Sequence, residues 1–186
     1  SIKELFSDFS LADRVFFRFG LHTVTWGAGY FFSPVSDMIN TSSIDPENTD
    51  DQVNGSLNLR AQITFPGTQN CIWAYVIPDT VTNTLGQGAT MDDYLNLAQY
   101  PYDAKKTALA VKGDLVFGAW EIGAGAFYKY QMAPKAMLTA TGSIINGKVS
   151  VFAEGVYRYG SDKEWNAEKD SWENKTNIFQ ATIGAS

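Results

Sequence analysis

Hydrophobic and polar residues alternate along most of this chain. Between positions 14 and 26 the odd positions carry Val15, Phe17, Phe19 and Leu21, then Thr23 and Thr25. The even positions carry Arg14, Phe16, Arg18, Gly20, His22, Val24 and Trp26. In an extended strand these two sets project to opposite sides. The same split recurs. Leu57, Leu59, Ala61, Ile63 and Phe65 oppose Asn58, Arg60, Gln62 and Thr64, and Leu109, Val111, Leu115 and Phe117 oppose Lys112 and Asp114. Ile122, Ala124, Ala126, Tyr128 and Tyr130 oppose Glu121, Gly123, Gly125 and Lys129. Ala136, Leu138, Ala140 and Ile144 oppose Lys135, Thr139, Thr141 and Ser143. Val149, Val151, Ala153, Tyr157 and Tyr159 oppose Lys148, Ser150, Glu154 and Arg158, and Phe179, Ala181 and Ile183 oppose Gln180 and Thr182. On a helix the charges of these stretches would fall all round the axis, so the period argues for strands.

The alternation predicts about nine strands, over residues 3–9, 13–27, 57–66, 70–78, 106–117, 120–131, 135–145, 148–160 and 176–185. Several reach the ~9–11 residues that a tilted strand needs to cross a bilayer, whereas ordinary globular strands average nearer ~5–6. Short connections near 10–13, 66–70, 118–119 and 146–147 alternate with long ones near 28–56, 79–105 and 161–175. Asn146-Gly147 suits the positive φ angles of a type I′ hairpin turn. Short and long connections at alternate ends are the pattern of bacterial outer-membrane barrels. The joint at 131–134 breaks it, being short where a long loop is expected.

Composition narrows the class. Hydrophobic residues make up 45% of the 186 positions, which excludes wholesale disorder. Fourteen Lys and Arg against twenty Asp and Glu leave a net charge of −6, and no basic patch marks a nucleic-acid surface. A single cysteine, Cys71, excludes an internal disulfide and multi-cysteine metal sites, and a single histidine, His22, excludes paired-histidine zinc motifs. No apolar run approaches the ~18 residues of a membrane helix, but a membrane barrel needs none. Two features favour such a barrel over a soluble one. The polar faces mix charges of both signs with Thr, Ser, Gln and Gly. Aromatics gather towards strand ends: Trp26, Tyr30, Phe31 and Phe32; Trp73 and Tyr75; Trp120; Tyr128 and Tyr130; Tyr157 and Tyr159. Such clusters suit interfacial girdles.

Lys3-Glu4-Leu5-Phe6-Ser7-Asp8-Phe9, then Phe17-Arg18-Phe19-Gly20, then Val24-Thr25-Trp26-Gly27-Ala28-Gly29-Tyr30-Phe31-Phe32-Ser33-Pro34 with Asp37, Ile39 and Asn40, form one group of motifs. Asp45-Pro46 leading to Leu57-Asn58-Leu59-Arg60, and the stretch Phe152 to Asp162, continue it. Together they resemble the porin-like outer-membrane barrels of spirochaetes and a wider Gram-negative group with a "WG…D…N" segment. The resemblance implies an antiparallel up-and-down transmembrane β-barrel in the bacterial outer membrane. Relatives of this kind are usually larger. An odd strand number, no terminal aromatic residue and no signal peptide further lead us to expect a segment of a larger, even-stranded barrel. His22 departs from the pattern, since the family often carries Lys or Gln there.

The expected function is a porin-like channel. It would admit small hydrophilic solutes by size and charge through a water-filled lumen lined by Arg14, Arg18, His22, Arg60, Lys112, Asp114, Glu121, Lys129, Glu154 and Arg158. Its partners would be the lipid bilayer and those solutes, with no nucleic acid, no metal and no cofactor. Arg14, Arg18 and His22 recur every fourth residue, a column ~13–14 Å long on one strand face. It would act as a cationic ladder for anions or as a wall-stiffening ion-pair set with Asp114, Glu121 or Glu154. Trp26-Gly27-Ala28-Gly29 lacks the spacing of a phosphate loop and reads as a strand bend. Asp45, Glu47, Asp50 and Asp51, and the pair Asp92 and Asp93, lack calcium-loop spacing and read as solvated loops. One histidine among many Ser and Asp specifies no triad, and Glu121 with Glu154 reads as ion-pair partners, so no enzyme is expected. Cys71 reads as a small buried hydrophobe. The alternative is a soluble β-barrel or sandwich that binds a ligand or adheres to a surface. It requires Phe17, Phe19, Leu59, Ile63, Leu115 and Val151 to be shielded from solvent.

Overall fold

A computed structural model describes residues 5–22, 56–78, 104–165 and 174–185. Nine strands run through them: β1 Leu5–Leu11, β2 Val15–His22, β3 Ser56–Thr64, β4 Cys71–Ile77, β5 Ala108–Phe117, β6 Trp120–Tyr128, β7 Lys135–Ile144, β8 Val149–Tyr159 and β9 Asn177–Ala185. They form one sheet in chain order, every neighbour antiparallel. The architecture is all-β and up-and-down. Only a 3₁₀ turn at Ala104–Lys106 interrupts it among the described residues. All nine expected strands are present, most of them trimmed by a few residues at their ends. The larger loops at 28–56 and 79–105 lie almost wholly outside the described residues. With them go the Trp26-to-Asn40 motif, Asp45-Pro46, both acidic loop clusters and the aromatic group at Trp26, Tyr30, Phe31 and Phe32.

Four tight connections, β1–β2, β3–β4, β5–β6 and β7–β8, share one end of the sheet. Asn146 and Gly147 take φ of +55° and +81°. Lys148 N–H donates to the Ile145 carbonyl across 3.2 Å. Those are the angles and the bond that a type I′ turn demands, supplied by the Asn-Gly pair. At the other end β6 returns to β7 through only residues 129–134, where Met132 N–H donates to the Lys129 carbonyl at 3.2 Å.

Residues directly opposite each other across an antiparallel pair point to the same side. The register can therefore be followed across the whole sheet. Phe9, Phe17, Ala61, Ala74, Val111, Ala126, Ala136, Tyr157 and Phe179 form one continuous row. Leu11, Val15, Ile63, Ile72, Gly113, Ala124, Leu138, Gly155 and Ala181 form the next. No charged strand residue falls on this face. It is the exposed one: Phe19 is 51%, Ile63 41%, Leu115 57%, Leu138 60% and Ile183 82% exposed. Phe17, Leu59 and Val151 are half-buried on the same face.

The other face holds every strand charge and is the more buried one over β3–β8, although Asp8 and Glu121 on it are exposed. Lys112, Asp114, Lys135 and Glu154 are all below a tenth exposed. It is not uniformly polar. Tyr75, Ala108, Ala110, Phe127, Met137 and Val156 form a closely packed apolar cluster across β4–β8, with Trp73 and Ile77 against it. Trp73 and Tyr75 thus belong to the charged face rather than to an exposed girdle. They share parity with Cys71, and they pair across the ladder with Gln62 and Lys112 and with Arg60 and Ala110.

Candidate functional site

The charged face is assembled from alternate residues of all nine strands, and its best-defined feature is a buried ion pair. Lys112 and Asp114 stand two apart on β5, so both point to this face, with Nζ 2.8 Å from Oδ1. The other oxygen of Asp114 accepts Trp73 Nε1–H at 2.8 Å and lies 3.8 Å from Cys71 Sγ. The carboxylate is thus held by a cation and an indole, as a charge below a tenth exposed requires. Glycine makes the room. A Cβ at Gly123, opposite Asp114 on β6, would lie 2.4 Å from Thr139 Oγ1, 2.7 Å from Asp114 Oδ1 and 2.9 Å from Lys112 Cε. Half-buried Cys71 has the carboxylate of Asp114 as a neighbour, not an apolar pocket.

Arg18 on β2 forms a two-pronged pair with Asp8 on β1, Nε to Oδ1 at 2.7 Å and Nη2 to Oδ2 at 2.8 Å. Its guanidinium also sits 3.8 Å from the centre of the Phe6 ring. His22 is buried two residues beyond Gly20, its Nδ1 3.3 Å from the Gly20 carbonyl and its ring edge-on to Phe6. Arg14 leaves the column. Ala12 and Asp13 take φ of +52° and +53°, Arg14 N–H donates to the Leu11 carbonyl at 3.3 Å, and the side chain is exposed in the turn. The four-residue spacing is present in the sequence, but the turn consumes its first member. Arg18's carboxylate partner is Asp8, which the sequence reading did not pick out.

The remaining charged residues divide by register. Arg60 on β3 lies directly opposite Arg18, with its guanidinium 5.2 Å from the Trp73 ring. Arg158 on β8 lies directly opposite Lys135 on β7 and donates from Nη2 to Gln180 Oε1. Lys135 sits 5.2 Å from the Phe127 ring centre. Glu154 is buried opposite Thr139 and Thr182. Glu121 is exposed at the tight-turn end, opposite Val116 and Thr141. Lys129 falls one residue beyond β6, in the return to β7. Lys135 and Asp8 complete the face, and the alternation around Lys135 had already marked its parity as polar.

At the opposite end from the tight turns, residues 160–165 and 174–176 fold onto the strand ends. Asp162 Oδ1 accepts Ala133 N–H at 3.0 Å, and the Trp165 indole donates to the Tyr159 carbonyl at 2.6 Å. Glu164 accepts Ser161 N–H at 2.6 Å, Thr176 Oγ1–H at 3.0 Å and Thr176 N–H at 3.3 Å. These bonds, that of Ser161 foremost, hold its carboxyl at about 2, down from 4.5.

Among the described residues no group of three or more His, Cys, Asp or Glu is placed to hold a metal ion. No protein-family model, curated protein or solved structure matches the chain. The functional reading therefore rests on the two faces themselves.

Proposed function

We propose that the nine strands form the wall of an outer-membrane β-barrel. Its exposed apolar face meets lipid, and its charged face lines a path for the passive diffusion of small hydrophilic solutes. One observation carries this reading: charge is completely segregated between the faces, and over β3–β8 the charged face is the more buried one. A soluble sheet of nine strands would do the reverse. Fully burying one large apolar side chain is worth ~1.5–3 kcal/mol, so leaving this many in water forfeits on the order of tens of kcal/mol. A continuous apolar patch of this extent calls for a cover, and lipid covers a whole strand-wide belt without a second sheet. Phe117 and Trp120 at one end of the belt, and Tyr128 and Tyr159 at the other, supply aromatic rims of the kind that sit at membrane interfaces. The apolar cluster of Tyr75, Phe127 and Met137 narrows the interior on the β4–β8 side, which favours small solutes over large ones.

The test is refolding into detergent micelles and planar bilayers, with conductance recorded at several salt concentrations. Discrete, stable conductance steps are expected. A folded, monodisperse protein in plain buffer that refuses to insert would overturn the reading. It would favour a soluble binding or adhesion module instead.

A further inference from the structure

Arg18, Arg60, Lys135 and Arg158 belong to one register row. The ladder runs Asp8, Arg18, Arg60, Tyr75, Ala110, Phe127, Lys135, Arg158, Ile178. We infer that this row is a binding band for small oxyanions, that is, solutes carrying a carboxylate or phosphate group. As a selectivity element it rests on the proposed channel.

The arrangement is unfavourable without an anion. Like charges directly opposite on neighbouring strands destabilise a sheet, and this row contains two such pairs, Arg18 with Arg60 and Lys135 with Arg158. Only Arg18 is neutralised, by Asp8. Arg60, Lys135 and Arg158 form no ion pair among the described residues; they face a Trp73 ring, a Phe127 ring and the amide oxygen of Gln180. The Nε groups of Arg60 and Arg158 are buried and have no hydrogen-bond acceptor. A buried guanidinium N–H ordinarily finds one.

The acids of the same face lie elsewhere. Asp114 is matched to Lys112. Glu154 is four residues from Arg158 along β8, about 13 Å in extended chain. Glu121 lies at the tight-turn end of β6. The Asp162 carboxylate, near the start of β7, accepts the Ala133 N–H. Asp162 is near enough to act on Lys135, and Asp8 and Arg60 act on each other. Neither carboxylate forms an ion pair with Arg60, Lys135 or Arg158, and the four cations of the row stand against these two carboxylates. Guanidinium groups present a planar fork of donors that matches carboxylate and phosphate oxygens. Charged rings on a pore wall set which ions enter.

Two measurements test this on the full chain refolded in detergent and in bilayers. The first is thermal unfolding in detergent with inorganic phosphate, against chloride at matched ionic strength. Phosphate should raise the melting temperature of the native protein. The shift should vanish in R60Q/K135Q/R158Q and survive in the charge-conserving R60K/K135R/R158K. The triple glutamine variant should fold and be more stable than the native protein in the absence of phosphate, because the like-charge repulsion is gone. No phosphate shift in the native protein, or a shift retained in the glutamine variant, would overturn the inference. The second is the reversal potential under a potassium chloride gradient. The native channel should prefer chloride, and the glutamine variant should lose that preference. A conducting but cation-preferring native channel would overturn the band and leave the channel standing. A phosphate shift that depends on the three cations, in a protein that never conducts, would overturn the channel and leave the band standing.

Discussion

Leu138 and Thr139 are neighbours on β7, yet one stands 60% exposed and the other 7%. The comparison extends over the whole sheet. On Leu138's side, no strand residue is charged and large side chains project freely. On Thr139's side lie all the strand charges, several of them buried, with Lys112 and Asp114 paired and fitted around Gly123. The backbone is common to both, so hydrogen bonding does not explain the difference. What differs is the medium each face is built for. A buried charge must be satisfied locally, as Asp114 is by Lys112 and the Trp73 indole. On the proposed reading the apolar face would meet lipid, which makes no such demand and accepts side chains without charge. The lesson is that exposure alone does not identify a polar environment. Here the exposed residues are the greasy ones.

Breaking the charged face should have the largest effect. Asp114→Ala removes the partner of a buried lysine, and breaking a buried pair from one side costs about 3–5 kcal/mol. Urea titration of the protein folded in detergent should read that loss. Replacing both members, Lys112→Met with Asp114→Leu, should cost much less than Asp114→Ala alone. A single variant that proves neutral would mean that water reaches the pair and the face is not closed.

Placing a charge on the apolar face comes next. Leu115→Arg should cost about 2–4 kcal/mol if that position lies at mid-bilayer, falling towards ~0–1 kcal/mol near an interface. Measured in bilayers, a series of arginines at Leu109, Val111, Leu115 and Phe117 along β5 should therefore show a maximum in the middle of the strand. A flat series would argue that protein, not lipid, covers this face.

The smallest expected effect lies at the strand ends. The Glu164 carboxyl is held at about 2, below its ordinary 4.5, by Ser161 and Thr176. A carboxyl whose folded value is lowered contributes stability that is fully present above its unfolded value and is lost as pH falls through the folded one. Order in the Ser161–Trp165 turn should therefore hold above pH 4.5 and decline from there towards pH 2. Near-ultraviolet circular dichroism, dominated by aromatics such as Trp165, should follow the decline. Glu164→Gln should remove the pH-dependent part and leave the strands intact.

The period-two alternation was enough to read most of the nine strands and their two faces, because each depends on residues close in sequence; the antiparallel order was expected from the resemblance and the connection lengths. Asn146-Gly147 announced its turn for the same reason, since both residues favour positive φ, although Ile145 beside them takes it as well, at +54°. Arg18, Arg60, Lys112, Asp114, Glu154 and Arg158 were legible as one charged face because the pleat assigns faces strand by strand. Which of them meet was not legible, since register is set across strands whose paired residues are far apart in sequence, 43 residues in the case of Cys71 and Asp114. Register made Asp8 the partner of Arg18, set Arg60 against Arg18 and Lys135 against Arg158, and turned Trp73 towards Asp114. The three residues 12–14 took Arg14 out of the row, because closing the β1–β2 turn needed them more than the column did. Local chemistry thus determined the strands and their two faces. Only the lateral pairing of those strands decided which charges neutralise one another and which stand together uncompensated, because Coulomb and hydrogen-bond energies depend on distance in space and not on distance along the chain.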